Sequence, residues 1–219
     1  MRVAEKVAIV TGGLSGIGAG VAARLARDGM IVVAADISTQ SMELDRTLGI
    51  HPFHVDVADH DSVASLVRAV MATCGRVDCL VHCAGVGRVL PFLETPLGTF
   101  DLVLKTNLHG NFSVGQACAR VMAAAGHGAI VNIGSVSGLR GNAVRAAYGA
   151  SKGAIVTLTE VMAVELAEHG VRAASAQPSS RKLEHQRCAA VASAAGGFCR
   201  DPKNKELFLD QGLRRSQLD

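Results

Sequence analysis

The alternation of short apolar runs with longer amphipathic stretches most narrows the folds open to this chain. Nearly continuous runs of Val, Ala, Ile and Leu recur between segments with helical spacing. Strands that are apolar throughout indicate a parallel sheet covered by helices on both faces. We therefore predict a single-domain, doubly wound α/β fold, whose ligands bind beyond the carboxyl ends of the strands.

The predicted strands and helices end where apolar residues are followed by glycine, proline or charged residues. Six strands are predicted at residues 7–10, 31–35, 51–55, 77–82, 129–133 and 171–175. Helices are predicted at residues 17–28, 59–74, 98–125 and 145–169, with a shorter one near 38–48. The pattern stops near residue 177, so we expect one folded domain over residues 1–178 and an atypical tail over residues 179–219.

Composition excludes several classes of protein. The chain has 219 residues, of which 49% are hydrophobic and 19% charged, and a formal net charge of +3. This balance is typical of a globular domain, and the interspersed charges form no basic stripe for nucleic acid. No apolar run is long enough to cross a membrane. The six cysteines lack CxxC spacing, so we expect reduced thiols, a cytoplasmic protein and no metal site.

A glycine-rich segment follows the first predicted strand and leads into a helix. Thr11 and Gly12 begin it, and Gly16, Ile17 and Gly18 open the helix. Glycine allows a sharp turn and a close approach of the backbone to a pyrophosphate, and the helix N-terminus directs amide donors at the negative charge. The segment predicts a dinucleotide phosphate site, although its spacing differs from GxGxxG.

An acidic residue closes the second predicted strand. Asp36 follows the glycine segment at roughly the spacing, about twenty residues, at which a carboxylate binds the adenosine ribose hydroxyls. The same carboxylate would repel a phosphate on that ribose, so the sequence favours NAD over NADP. Asp56 and Val57 follow the third strand, and we expect them to contact the adenine ring.

The only tyrosine of the chain, Tyr148, precedes Lys152 by four residues. Residues four apart share a helix face, so the ammonium group can lie beside the phenol and favour the phenolate. A tyrosine placed in this way can exchange a proton with a substrate oxygen. A surface pair without chemical function has the same spacing, so the interpretation depends on the other motifs.

Taken together, these motifs resemble the short-chain dehydrogenase/reductase family, and most of all its shorter, classical branch. The TGxxxGxG motif of that family matches Thr11 to Gly18, and its YxxxK motif matches Tyr148 and Lys152. The resemblance covers the chain from about residue 5 to about residue 178. Because several motifs occur in the family's order, their combination is far more specific than any one of them.

Three further family motifs are present in whole or in part. The helical asparagine matches Asn107, and the catalytic serine matches Ser135. The NNAG motif keeps only its last two residues, Ala84 and Gly85, because histidine and cysteine stand where the family has asparagines. The backbone at Ala84 and Gly85 can still pass close to a cofactor.

The resemblance implies hydride transfer between NAD(H) and a secondary alcohol or ketone. Tyr148 would be the general acid/base, and Lys152 would also hold the nicotinamide ribose. Ser135 would donate a hydrogen bond to the substrate oxygen, and Asn107 would position a water that links Lys152 to solvent. The residues expected to contact the cofactor are Thr11, Gly12, Gly16, Ile17, Gly18, Asp36, Asp56, Val57, Ala84, Gly85, Tyr148, Lys152 and Pro178.

The substrate and the assembly stay open at this level. A small secondary alcohol or ketone, a sugar-like polyol, a hydroxysteroid and a 3-oxoacyl thioester are all compatible with these residues. Family members associate through the helices that correspond to residues 98–125 and 145–169, so the resemblance implies a homo-dimer or homo-tetramer. No nucleic-acid or membrane partner is expected.

The tail departs from the family after the sixth strand. The family has a Pro-Gly step, a substrate lid and a last strand there, whereas Pro178 is followed by Ser179 and no last strand is predicted. Two alternatives follow. The tail is a divergent lid of an active enzyme, or it is a truncated or frame-altered end. The second alternative predicts a catalytically impaired dinucleotide-binding protein that acts as a sensor or binds a partner.

Overall fold

Six parallel strands form one sheet in the computed structural model, which describes residues 6–38 and 49–178. Their order across the sheet is β3-β2-β1-β4-β5-β6. Strands are therefore added on one side of β1 up to β3 and on its other side from β4 onwards. The carboxyl ends of those two strands flank the crevice in which ligands of such sheets bind. The strands are β1 (Val7–Thr11), β2 (Ile31–Asp36), β3 (Ile50–His54), β4 (Cys79–His82), β5 (Gly128–Ile133) and β6 (Val171–Ala176).

Five α-helices among the described residues connect the strands. A π-helical turn at Lys105–His109 joins the third helix to the fourth, and three short 3-10 turns lie at Phe92–Glu94, Val136–Gly138 and Ala167–His169. A π turn inserts an extra residue into a helix and is frequent at functional sites. The α-helices are α1 (Gly16–Arg27), α2 (His60–Cys74), α3 (Leu97–Leu104), α4 (Gly110–Ala125) and α5 (Ala146–Glu165).

Two hydrophobic cores cover the two faces of the sheet. Alternate residues of β1 point to opposite faces, so Val10 joins Leu25 of α1 in one core and Ile9 joins Met122 of α4 in the other. β3 is the edge strand, which is where a strand proline such as Pro52 is tolerated. The sheet is therefore buried on both faces and presents its strand ends as the site for ligands.

The predicted fold class is confirmed, and each predicted strand and long helix has its counterpart. The helix predicted at residues 98–125 is divided by the π turn into α3 and α4. The short helix predicted near 38–48 lies almost wholly outside the described residues. The tail predicted at residues 179–219, where a last strand would stand, also lies outside them. The boundary at residue 178 stays a prediction. Within the described ranges, no helix combines the length and the apolar character that crossing a membrane requires.

The cysteines depart from the expectation in one place. Cys74, Cys83 and Cys118 are not disulfide-bonded, whereas Cys79 on β4 is. The prediction of reduced thiols throughout is therefore wrong at Cys79. CxxC spacing reports only on cysteines that are close along the chain, whereas a disulfide requires closeness in space.

Candidate active site

The loop between β1 and α1 packs so closely on its neighbours that side chains are excluded. Gly12 has a φ of +61°, and a Cβ there would lie 2.9 Å from the backbone nitrogen of Ala84. A Cβ on Gly18 would run into the carbonyl oxygen of Gly12. Gly16, the first residue of α1, also has a positive φ, +50°. The loop therefore lies directly against the segment after β4, with the N-terminus of α1 at its end.

Asp36 is held at the edge of the same loop. Its Oδ2 accepts a hydrogen bond from the backbone nitrogen of Leu14 at 3.2 Å, and its Oδ1 accepts one from that of Ser38 at 3.3 Å. A Cβ on Gly13 would lie 2.9 Å from Cα of Ala34, so a second glycine is needed for the loop to pass β2. Sequence reasoning missed Gly13 and Leu14, although the adjacent pair of glycines was a usable indication.

Asp56 and Val57 lie just beyond β3, in an ordered turn. The Asp56 carboxylate accepts a hydrogen bond from the backbone nitrogen of Ala58 at 2.9 Å. The backbone nitrogen of Asp56 donates one to the Ser62 hydroxyl at 3.0 Å. The Val57 side chain is buried, and a Cβ on Gly110 would lie 2.8 Å from it. The adenine contact of Asp56 and Val57 stays a prediction.

Tyr148 and Lys152 share one face of α5, as the spacing predicts. The Lys152 Nζ lies 5.8 Å from the centroid of the Tyr148 ring. It donates a hydrogen bond of 2.6 Å to the carbonyl oxygen of Ile133, at the end of β5. Burial lowers the pKa of Lys152 to about 8, an effect that the charge of Cys83 partly opposes. The ammonium group is thus held in place beside the tyrosine ring.

Asn107 occupies the π turn and ties three segments together. Its Oδ1 accepts a hydrogen bond of 2.7 Å from the Val86 nitrogen. Its Nδ2 donates to the Val86 oxygen at 2.9 Å and to the Ser151 hydroxyl at 3.0 Å. Both amide donors are therefore used in holding the segment after β4 against α5. A water relay through Asn107 would have to use its main chain or the remaining lone pair of Oδ1.

Ser135 begins the short turn that follows β5. Its hydroxyl oxygen accepts a hydrogen bond from the backbone of Ser137 at 3.1 Å, which leaves the hydroxyl proton free to be donated. The same turn rests on α5, because a Cβ on Gly138 would lie 2.5 Å from the carbonyl carbon of Lys152. Packing thus brings the serine turn to the helix that carries Tyr148.

His82 connects the glycine loop to the segment after β4. Its Nδ1 lies 3.0 Å from the Thr11 hydroxyl, which also accepts a hydrogen bond of 3.3 Å from the Ala84 nitrogen. Burial, assisted by the charge of Lys152, lowers the pKa of His82 to about 3, so the ring is neutral. A histidine thus ties β1 to β4 where the family has an asparagine. In the sequence, the only indication of this role of His82 was its position in the incomplete NNAG motif.

The remaining predicted positions lie at the same edge of the sheet. A Cβ on Gly85 would lie 3.1 Å from the Asn107 Oδ1 and 3.7 Å from the Lys152 Nζ, so this glycine faces the Lys152 site directly. Pro178 follows β6 as the last described residue. In the part of the chain that the structure describes, no group of three His, Cys, Asp or Glu side chains is arranged to hold a metal.

The sheet order and the glycine loop define a Rossmann-type fold with a Tyr-Lys pair at its ligand-binding edge. Comparison with known proteins assigns the family. The chain belongs to the short chain dehydrogenase family, whose model matches residues 6–187.

Named relatives share a large part of the chain. It is 37% identical to a 2-dehydro-3-deoxy-L-rhamnonate dehydrogenase (NAD(+)) of a Sphingomonas strain, over 82% of this chain and 73% of that protein. It is 40% identical to a D-threitol dehydrogenase of Mycolicibacterium smegmatis, over 81% of this chain and 71% of that protein. A crystal structure of an NAD+-bound xylitol dehydrogenase superposes with a TM-score of 0.79 and 33% identity, covering 93% of this chain and 82% of that one.

Proposed function

We propose that this protein is an oxidoreductase that transfers a hydride between NAD(H) and a secondary alcohol or ketone. One observation carries the proposal most directly: the buried Lys152 ammonium, with a pKa lowered to about 8, lies beside the ring of the only tyrosine. A cation held next to a phenol favours the phenolate form, so Tyr148 can act as base or acid at the substrate oxygen.

The described residues suit a dinucleotide. At Gly12 and Gly18 a side chain would fill the space along the loop, and the N-terminus of α1 offers amide donors for a pyrophosphate. When bound, a nicotinamide cofactor supplies or accepts the hydride. Gly85 and Lys152 would hold its ribose side, since the space above Gly85 opens on the Lys152 Nζ.

The protein's own groups would handle the proton and the substrate oxygen. Tyr148 gives up or takes the proton, and Lys152 stabilises the phenolate. Ser135 retains a hydroxyl proton to donate to the substrate oxygen, where negative charge develops. Asn107 hydrogen-bonds both the segment after β4 and α5. It would thereby fix the distance between the bound cofactor and Tyr148.

NAD is proposed as the cofactor rather than NADP. Asp36 has a carboxylate at the end of β2, anchored to the glycine loop through Leu14. Such a carboxylate accepts bonds from ribose hydroxyls and repels a ribose phosphate. Two of the compared proteins carry NAD in their names, which supports the same choice. The names of the relatives also favour a polyol or sugar-like substrate over a hydroxysteroid.

We further propose that the chain forms homo-oligomers through the outer face of α4 and α5. Phe112, Val161 and Val164 are exposed there by 51%, 45% and 79%. A cavity of about 490 Å³ opens on the same side, with Leu108, Phe112 and Leu158 in its lining. Exposed apolar side chains that form a patch are typical of protein–protein interfaces.

The enzyme proposal is tested with the purified full chain. NADH titration followed by fluorescence should show binding, and a panel of ketones, polyols and 3-oxoacyl thioesters should include a substrate. Tyr148→Phe removes only the hydroxyl, so kcat should fall by about 1,000-fold while the Kd for NADH stays unchanged. Binding without turnover of any compound would favour the impaired, ligand-sensing alternative. Absence of NADH binding would contradict both.

A further inference from the structure

Two loops beside Tyr148 together carry a net positive charge. The β4 loop, residues 83–96, contains Arg88 and Glu94. The β5 loop, residues 134–145, contains Arg140 and Arg145 and neither aspartate nor glutamate. The two loops meet, because the Leu90 nitrogen donates a hydrogen bond of 3.1 Å to the Val144 oxygen. Their charges therefore act on the same space next to the candidate active site.

Arg145 is the cation of this group that lies nearest to the chemistry. Its Cζ is 5.6 Å from the centroid of the Tyr148 ring. A Cβ on Gly87 would lie 3.5 Å from the Arg145 Nη1 and 3.6 Å from the Tyr148 Cδ2, so the guanidinium and the ring border one small space. Among the described residues, the Arg145 guanidinium forms no ion pair and no hydrogen bond.

The backbone before Arg145 is strained in a way that fixes its position. Val144 has a φ of +58°, and it is the only non-glycine residue with positive φ in the described part of the chain. A β-branched residue adopts this conformation only when its surroundings impose it. The hydrogen bond from Leu90 holds Val144 there, directly before α5 begins. Strain of this kind is concentrated at active sites and ligand clamps.

We propose that the substrate carries a carboxylate and that Arg145 binds it. The inference rests on the proposed function and names the substrate class within it: a hydroxy or oxo carboxylic acid rather than a neutral polyol. A guanidinium group matches a carboxylate with two parallel N–H donors, and a half-buried arginine without an acidic partner has those donors available. Arg88 and Arg140 raise the local concentration of the anion without contacting Tyr148.

The test compares acids with their neutral methyl esters at three spacings. The probes are 2-oxobutanoate, acetoacetate and 4-oxopentanoate, each beside its methyl ester, with NADH as reductant and the full-length protein. At the matching spacing the acid should have a KM at least about 10-fold below that of the ester, since a charge-assisted pair is lost in the ester. Arg145→Met should abolish this preference, and Arg145→Lys should restore part of it.

Arg27→Met is the matched control, because Arg27 is exposed in the last turn of α1 and lies outside both loops and outside the proposed interface. It should retain the preference for the acid. Unchanged NADH affinity in Arg145→Met establishes that the variant is folded. Equal KM values for acid and ester in the wild type would overturn the inference and leave the proposed function intact. An equal fall of kcat for both compounds in Arg145→Met would also overturn it, since Arg145 would then only position Tyr148.

Turnover restricted to neutral compounds of the wider panel would likewise refute the carboxylate without touching the oxidoreductase proposal. No turnover of any compound would refute both. A phosphate in place of the carboxylate is a separate outcome. Dihydroxyacetone phosphate reduced in preference to dihydroxyacetone and to every oxo acid, with the preference lost in Arg145→Met, would move the assignment from carboxylate to phosphate and overturn the proposal as stated.

Discussion

The glycine loop after β1 and the polar cluster on the other side of the crevice are built by opposite means. The loop depends on side chains that are absent, because a Cβ at Gly12 or Gly18 would meet backbone atoms. The polar cluster, consisting of Asn107, Ser135, Tyr148, Ser151 and Lys152, depends on side chains that are present and mostly buried. The hydrogen bond between His82 and Thr11 joins the glycine loop to the end of β4.

The difference lies in how each region is encoded. The glycine loop is a local arrangement of consecutive residues, so a change in it acts on the backbone at once. The polar cluster joins residues that lie 44 positions apart, for Asn107 and Ser151, or 19 apart, for Lys152 and Ile133. We expect substitutions in the loop to act on cofactor affinity and substitutions in the cluster to act on proton equilibria.

The largest effect is expected in the loop, from Gly18→Ala. The new methyl group displaces the Gly12 carbonyl and with it the amide donors for the pyrophosphate. Loss of two charge-assisted hydrogen bonds, together about 4 kcal/mol, should raise the Kd for NADH by about 1,000-fold. Isothermal calorimetry measures this directly. Gly98→Ala in α3 is the control, because nothing lies within 4 Å of a Cβ there, and its affinity should match the wild type.

A Gly18→Ala variant that binds NADH normally and melts at the wild-type temperature would contradict the steric account of the loop. The phosphate site would then depend on side chains, as the polar cluster does, and the contrast between the two regions would disappear.

The second effect belongs to the cluster and concerns pH. Burial lowers the pKa of Lys152 to about 8 in the folded protein from its ordinary value of 10.5. Between these pH values the unfolded chain binds a proton that the folded chain does not, so stability rises with pH across this window. The rise should reach about 3 kcal/mol. Urea unfolding at pH 7.5 and pH 10.5 should show it as a difference between wild type and Lys152→Met.

The buried thiol of Cys118 also makes stability depend on pH, so the effect of Lys152 is measured as the difference between the wild type and Lys152→Met. Burial raises the pKa of this thiol to about 12 from 9.0, so its contribution falls as pH rises above 9. That loss is common to both proteins and cancels in their difference. Lys105→Met, at an exposed position of the π turn, should behave as the wild type. An identical pH dependence in wild type and Lys152→Met would show that the folded protein does not hold Lys152 in a shifted state.

The smallest effect is expected at Asp36, where the loop uses a side chain. Asp36→Asn keeps an acceptor for the Leu14 nitrogen and removes the charge. The preference for NADH over NADPH should fall by about 10-fold, or about 1.4 kcal/mol, because repulsion of the ribose phosphate is lost. Competition between the two cofactors measures the ratio, and Asp101→Asn on the exposed side of α3 should leave it unchanged. An unaltered ratio in Asp36→Asn would show that the Asp36 charge does not determine the preference for NADH.

Much of the fold could be predicted because each element has a local cause. Nearly continuous apolar runs marked most of the strands, and the proline of β3 agrees with an edge position. The Tyr148-Lys152 neighbourhood also followed from helical spacing alone. The division of the third long helix by a π turn could not be predicted, because Asn107 gains its partners from Val86 and Ser151, which are distant in sequence.

The sequence by itself determined the sheet class, the glycine loop, Asp36 at the end of β2 and the pairing of tyrosine with lysine. These depend on periodicity and on residue types within a few positions of one another. Only the tertiary structure decided that Lys152 is buried, that His82 is a neutral ring hydrogen-bonded to Thr11, and that Arg145 lies beside Tyr148 with no ion pair to any residue the structure describes. Burial and long-range contacts set the charge state and the free donors of a side chain, and neither quantity exists before the strands and helices have packed.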